Sequence, residues 1–339
     1  KISTIPDSAK IPSGVQELDQ SVSSVETTAA AEKKSRTPRK SRSDYSSDTS
    51  VKAKAKNTDG EDQVKTELAT LLQRTISAVA LAVVAGICMV IGTLPTLIFI
   101  TLLIGYMSVE LCSAFRAIGS KPAVILVGAM SMFAVVAGYL VGDRAVAIST
   151  ITFVIFAGLW FLLGVQKARP VIGMAISSLV FVYVGVLGSF AGMILSLKDD
   201  AQKSIGISVL VSIVLCVAAN DTVAYLAGKY FGRTPIAPKI SPNKTMEGTT
   251  AGIVASLLVS VFIASTLNTV FEGVPSAVLL GFAAAACAFL GDLVESMLKR
   301  DCKLKDFGTI LPGHGGLMDR FDGLLFALPV IYYLAIALA

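Results

Sequence analysis

The sequence predicts an all-α polytopic membrane protein with about nine transmembrane helices and a disordered N-terminal tail. Hydrophobic residues make up 54% of the 339 residues and charged residues only 16%, and the mean hydropathy is +0.72. Such a composition is too apolar for a soluble domain of this length. Apolar runs of the ~17–25 residues needed to cross a ~30 Å hydrocarbon core recur along the chain. Residues 1–65, by contrast, are rich in Ser, Thr, Lys, Asp and Glu.

The tail and the spans divide the chain into three predicted regions. Residues 1–65 contain too little apolar area to offset the entropy cost of ordering, so we expect a disordered cytoplasmic tail. Spans one to five belong to residues 66–203, and spans six to nine form the predicted catalytic region, residues 204–339. The nine spans are Thr75–Ile91, Leu94–Phe115, Pro122–Val141, Ala145–Val165, Val171–Leu197, Ser204–Ala227, Thr249–Leu267, Pro275–Leu298 and Gly323–Ala339.

The distribution of basic residues sets the expected orientation. Loops on the tail's side of the spans carry thirteen Lys and Arg residues, whereas the opposite loops carry only Arg144, Lys198 and Lys203. The positive-inside rule therefore predicts an integral protein of the cell membrane with its N-terminus in the cytoplasm and its C-terminus outside. The net charge of +5 follows this topology, so we expect no nucleic-acid partner. The long polar loops 228–248 and 299–322 are both expected in the cytoplasm, together with the active site.

Four acidic residues lie in the cytoplasmic halves of the predicted spans, where a charge is costly. They are Glu110 in span two, Asp221 in span six, and Asp292 with Glu295 in span eight. Asp292 and Glu295 share a helix face, and Lys299 lies one turn beyond Glu295. For Asp292 and Asp221 the sequence favours a functional role. For Glu110 and Glu295, pairing with a basic residue is an equally good interpretation.

The segment 299–322 combines cations, glycines and carboxylates. Its cations include Lys299, Arg300, Lys303 and Lys305, and its glycines include Gly313, Gly315 and Gly316. Asp319 and Asp322 are three residues apart at the start of the last span, so their carboxylates face one way. Hard oxygen ligands beside phosphate-binding cations suit Mg²⁺ bound to a phosphorylated substrate. A solvated loop with a helix-capping aspartate is the alternative.

A second polar stretch, SPNKTMEG at residues 241–248, contains further phosphate donors. No G-x-x-x-x-G-K precedes Thr245, so the stretch is not a P-loop. Ser241, Lys244 and Thr245 could donate hydrogen bonds to phosphates, but a purely structural loop fits the pattern equally well. Glu247 could cap the following helix or add a carboxylate.

Three motifs together resemble one known family. The 27 residues SMLKRDCKLKDFGTILPGHGGLMDRFD, at positions 296–322, resemble the signature of phosphatidate cytidylyltransferases, also called CDP-diacylglycerol synthases. NDTVAYLAGKYFG, at 220–232, and SPNKTMEG resemble the same family, and the resemblance covers about the C-terminal half. It implies the reaction CTP + phosphatidate → CDP-diacylglycerol + pyrophosphate, dependent on Mg²⁺, with a second cation left open. It also implies a homodimer with a polar cavity that faces the cytoplasm and is open to membrane lipid.

The resemblance also implies roles for individual residues. Asp292 and Asp319 become metal ligands, with Asp221 and Asp322 as further candidates. The implied phosphate-binding catalytic residues are Lys299, Arg300, Lys305 and Arg320. The implied substrate-binding residues are Ser296, Asp306, His314, Gly315 and Gly316, to which Ser241, Lys244 and Thr245 add those of the second motif. His314 could contact a phosphate or fix the glycine turn through its ring nitrogens.

Three other functions remain as alternatives. An ion-coupled transporter would also carry acids within its spans, but its path would need polar groups at both membrane faces. A CTP-dependent lipid kinase would transfer the γ-phosphate and release CDP, and composition alone does not exclude it. A lipid-binding scaffold would not need this density of acids and bases.

Overall fold

The computed structural model describes residues 79–164, 169–198, 204–238, 240–267, 269–308 and 315–338. The predicted tail 1–65, the start of the first predicted span and His314 lie outside these residues. The division of the spans at residues 203 and 204 stays a prediction.

The described chain is helical apart from one small sheet. Its helices are α1 (Val79–Ile91), α2 (Thr93–Ala117), α3 (Val124–Val141), α4 (Arg144–Leu162), α5 (Pro170–Leu195), α6 (Gly206–Phe231), α7 (Met246–Thr266), α8 (Val274–Asp301) and α9 (Met318–Leu338). The eight from α2 to α9 are long and apolar enough to cross a membrane, and α1 is a shorter apolar helix. Large apolar side chains such as Ile125, Leu162 and Val171 are mostly exposed, as lipid-facing residues are. The all-α polytopic fold class is confirmed.

The segment 228–248, predicted as a loop, contains regular secondary structure. Helix α6 continues to Phe231 and α7 begins at Met246, so less of the segment is left outside helices than the sequence predicted. Between them, β1 (Pro235–Ala237) pairs antiparallel with β2 (Ser241–Thr245). The Glu247 carboxylate accepts the backbone N–H groups of Arg233 and Thr234 at 3.1 and 3.2 Å. Glu247 therefore fastens the hairpin to α7, which neither interpretation of the sequence included.

Helix α5 changes its winding halfway. Its α-helical parts, Pro170–Val180 and Leu187–Leu195, flank a π-helical segment at Phe181–Val186. The Phe181 ring stacks on Phe153 of α4 with centroids 4.1 Å apart and planes within 3°. On the other side of the segment, the Tyr183 ring meets Phe326 of α9.

Helices α8 and α9 approach each other closely beside their polar ends. A Cβ atom on Gly291 of α8 would lie 2.6 Å from the carbonyl oxygen of Asp322 on α9. Only glycine allows this backbone contact, as at many helix crossings in membranes. The contact brings the acidic residues of the two helices to the same place.

Candidate active site

Three carboxylates from α8 and α9 form the centre of the candidate site. One oxygen from each of Asp292, Glu295 and Asp322 lies within 4.8 Å of the other two. Glu295 is 3% exposed and Asp322 is 9% exposed, whereas the Asp292 side chain is 44% exposed. The cluster, here called the acid cluster, is therefore closed on two sides and open beside Asp292.

The acid cluster has the chemistry of a hard-cation site. Its donors are carboxylate oxygens, which Mg²⁺ prefers over nitrogen and sulfur. Three buried or half-buried carboxylates this close together repel one another unless a proton or a positive charge lies among them. The residues therefore fit a bound divalent cation. Asp292 and Asp322 were predicted metal ligands, whereas the sequence left open whether Glu295 has a functional role or only pairs with a basic residue.

Two lysines bring positive charge to the acid cluster. The Lys244 ammonium nitrogen lies 2.6 Å from Asp292 Oδ2 and 5.0 Å from the centre of the Phe289 ring. The Lys299 ammonium nitrogen lies 2.7 Å from Glu295 Oε1. Lys244 comes from β2 and Lys299 from the end of α8, so the two predicted polar segments meet at one acid cluster, through different carboxylates.

Asp319 organises the loop before α9. Its carboxylate lies 3.0 Å from the Lys299 ammonium nitrogen and accepts the backbone N–H groups of Gly316 at 2.7 Å and Phe307 at 3.2 Å. Gly315, beside it, has a φ of +86°, a conformation that favours glycine. Asp319 thus adjoins the acid cluster at Glu295, and Lys299 bridges the two carboxylates. Its predicted role as a metal ligand stays a prediction.

A cavity of about 280 Å³ opens beside Asp292. Its polar lining comes from α6, the hairpin, α7 and α8 and includes Asn220, Asp221, Ser241, Lys244 and Thr245. The Asn220 amide donates to the Asp221 carboxylate at 2.9 Å, and Thr245 also caps α7 by accepting the Gly248 N–H at 3.2 Å. Four residues predicted from two separate motifs therefore line one cavity.

The remaining predicted residues surround this centre. The Ser296 hydroxyl donates to Asp292 Oδ1 at 3.4 Å, and Arg300 Nε donates to the carbonyl oxygen of Ile240 at 3.4 Å. Lys305, Asp306 and Arg320 are exposed. Their predicted contacts with substrate stay predictions.

Glu110 of α2 belongs to the site in a way the sequence did not reveal. Its carboxylate is 4% exposed and accepts the backbone N–H of Met318, the first residue of α9, at 2.8 Å. A Cβ atom on Gly308 or Gly316 would overlap with its oxygens. The carboxylate contacts the backbone of the signature segment, whereas the sequence suggested a loop lysine. Its only sequence signal was a lone acid in an apolar span.

Known proteins resemble the chain over most of its length. The sequence pattern of the cytidylyltransferase family matches residues 72–338. The phosphatidate cytidylyltransferase of Bacillus subtilis is 32% identical over 276 residues, which cover 77% of this chain and 96% of that protein. That of Helicobacter pylori is 34% identical over 263 residues, which cover 78% of this chain and 91% of that protein.

Other matches are shorter. The phosphatidate cytidylyltransferase of Synechocystis sp. is 43% identical over 133 residues, which cover 39% of this chain and 45% of that protein. The match likewise spans less than half of several other relatives. Because the family pattern extends from before α1 to the end of α9, the chain belongs to the cytidylyltransferase family.

Proposed function

We propose that the chain is a phosphatidate cytidylyltransferase, which converts CTP and phosphatidate into CDP-diacylglycerol and pyrophosphate. The observation that carries the proposal is the convergence of Asp292, Glu295 and Asp322 with Lys244 and Lys299 at one end of a bundle of apolar helices. The Bacillus subtilis and Helicobacter pylori proteins, which this chain matches over 96% and 91% of their length, are named phosphatidate cytidylyltransferases.

The reaction needs a site that brings two anions together. An oxygen of the lipid phosphate attacks the α-phosphorus of CTP and forms the new P–O bond. The bond from that phosphorus to the bridging oxygen of the β-phosphate breaks, and pyrophosphate leaves with the electron pair. The nucleophile belongs to the substrate, so the chain needs only to position the reactants and stabilise charge.

The residues of the site divide this work. Lys244 and Lys299 reduce the repulsion between the two phosphates, and Asp292, Glu295 and Asp322 would hold Mg²⁺. When bound, Mg²⁺ supplies neutralisation of the charge that develops on the phosphate oxygens. Ligation by Asp319 and a second cation remain part of the proposal.

The cavity beside Asp292 is the proposed entrance for both substrates. Its 280 Å³ lies next to Lys244 and so suits the phosphates of CTP. Three aromatic side chains near the cavity are 67–72% exposed. Tyr225 lines the cavity, and Tyr230 and Phe231 lie at the end of α6. Aromatic residues of this kind favour the membrane–water interface, where the phosphatidate headgroup lies.

We further propose that this end of the bundle faces the cytoplasm at the cell membrane and that the protein is a homodimer. The orientation is supported by the basic residues Lys229, Arg233, Lys244, Lys299 and Arg300, all at this end. The dimer is proposed from the family resemblance alone.

Isotope transfer tests the reaction. Detergent-purified protein given [α-³²P]CTP, phosphatidate and Mg²⁺ should transfer the label to lipid, and [γ-³²P]CTP should release it as pyrophosphate. Omitting phosphatidate should stop pyrophosphate release, and Asp292→Asn should lower the rate by about 100-fold or more. Transfer of γ-label to lipid, with CDP as by-product, would replace this proposal with a CTP-dependent lipid kinase.

A further inference from the structure

Tyr183 is the centre of the π-helical segment of α5 and lies outside every motif of the sequence. A π-helical turn inserts one residue into a helix, re-aims the side chains around it and often marks a functional site. The Tyr183 side chain is only 7% exposed. Its ring meets Phe326 of α9 edge-on, with centroids 5.9 Å apart and planes at 64°. Phe326 follows Asp322 by one helical turn, so the ring packs against α9 one turn from a member of the acid cluster.

The Tyr183 hydroxyl lacks a partner in the described part of the chain. It is buried and makes no hydrogen bond to the residues described. A hydroxyl buried without a partner is unfavourable, and proteins rarely retain one without a reason. The charged groups whose electrostatic interaction reaches this hydroxyl are Asp322, Glu295 and Asp292, which are the three members of the acid cluster. The hydroxyl is therefore buried within electrostatic range of the whole acid cluster.

We propose that Tyr183 is a positioning residue that donates its hydroxyl hydrogen to an oxygen atom bound to the cation in the acid cluster. The inference rests on the proposed function, since it needs a cation there. Groups that hydrogen-bond the ligands of a metal fix their orientation and raise the affinity. The π-helical turn is the device that points this hydroxyl at the cluster, because regular helical winding would direct the following residues elsewhere.

A neighbouring tyrosine supplies a matched control. Tyr332 of α9 is also buried, but its hydroxyl donates to Asp143 at 2.7 Å. Tyr332→Phe removes a hydrogen bond that the protein itself makes, so it should lower the melting temperature of the cation-free protein. Tyr183→Phe removes a hydroxyl that has no partner among the residues described, so it should leave that temperature unchanged or raise it. The two variants thus separate a structural hydroxyl from one that acts on the cation.

Manganese binding tests the inference without any turnover. The full chain in detergent, stripped with EDTA, is titrated with Mn²⁺, and free Mn²⁺ is measured by electron paramagnetic resonance. We expect Tyr183→Phe to weaken binding about tenfold, Tyr332→Phe to bind like wild type, and Asp322→Asn to lose the site. Wild-type affinity in Tyr183→Phe, or a lowered cation-free melting temperature, would overturn the inference and leave the metal site intact. Absence of Mn²⁺ binding by the wild type would overturn the metal centre itself, and this inference with it.

Discussion

Glu110 joins two parts of the sequence that are 208 residues apart. Its carboxylate accepts the N–H of Met318, one of the first amides of α9 that lack a partner within the helix. A negative charge at this end also interacts favourably with the helix dipole. One buried side chain of α2 therefore fixes where α9 begins and, through it, where Asp319 and Asp322 lie.

Replacing Glu110 should damage both stability and catalysis. Glu110→Ala leaves the Met318 amide without its acceptor, and we expect a loss of about 1.5–3 kcal/mol in stability. The displaced start of α9 should lower turnover by about 100-fold. Glu110→Gln keeps an acceptor oxygen and should lie between the alanine variant and wild type. Ser113→Ala, at an exposed position of the same helix, is the control. Melting temperature and initial rate are measured, and wild-type values for Glu110→Ala would exclude this role.

Gly308 should be needed because it leaves room for Glu110. A Cβ atom there would overlap with Glu110 Oε1, so Gly308→Ala should displace the carboxylate and lower the melting temperature. The same change in a Glu110→Ala background should cost much less, because the overlapping group is gone. Gly158→Ala, with no atom within 4 Å of its Cβ, is the neutral control. Additive losses in the double variant would show that Gly308 acts by another contact.

At the scale of the elements, the sequence predicted the helices well and the departures from them poorly. The limits of α3 and α5 lie within two residues of the predicted spans because apolar length alone sets them. The π-helical turn could not be predicted, since the contacts that accompany it, such as Phe181 stacking on Phe153, come from separate helices. The hairpin was missed because β1 has three residues and β2 is largely polar, without an alternating pattern.

Removing the Lys244 side chain should show that the hairpin contributes to CTP binding. We expect Lys244→Ala to raise the KM for CTP about tenfold, since the ammonium group lies between Asp292 and the cavity. The melting temperature should change little, because a partly exposed ion pair contributes only about 0–1 kcal/mol. Lys229→Ala removes the same charge from an exposed position of the same segment and should be nearly silent. Equal effects of the two variants would mean that only the overall charge matters.

At the scale of the whole molecule, part of the site followed from sequence and part required the fold. Asp292, Lys299 and Asp322 were predicted to belong to one site because the family resemblance implies roles for them. That Lys244 also reaches them depends on the hairpin. Glu110 and Tyr183 could not be assigned, because contacts across the bundle leave no periodic signal in the chain. Binding groups that come from distant helices are the ones for which a structure is required.

The orientation of the bundle can be tested with introduced cysteines. The native thiols interfere little, since Cys112, Cys216, Cys287 and Cys302 are buried and Cys88 is half-buried. Burial also raises the pKa of the Cys302 thiol, and the nearby Asp301 carboxylate adds to the effect, so this cysteine reacts slowly. A reporter is therefore best placed at an exposed residue on either end of α7.

Asn243→Cys in the hairpin and Glu272→Cys after α7 are separated by a single span. In intact cells, a membrane-impermeant maleimide should label Glu272→Cys, because the basic hairpin side is expected in the cytoplasm. Asn243→Cys should be labelled only after the membrane is permeabilised, and the unmodified protein gives the background. Because one span separates the two reporters, the expected result does not depend on whether α1 crosses the membrane. The opposite labelling pattern would put the acid cluster outside, away from cytoplasmic CTP, and would overturn the proposed orientation.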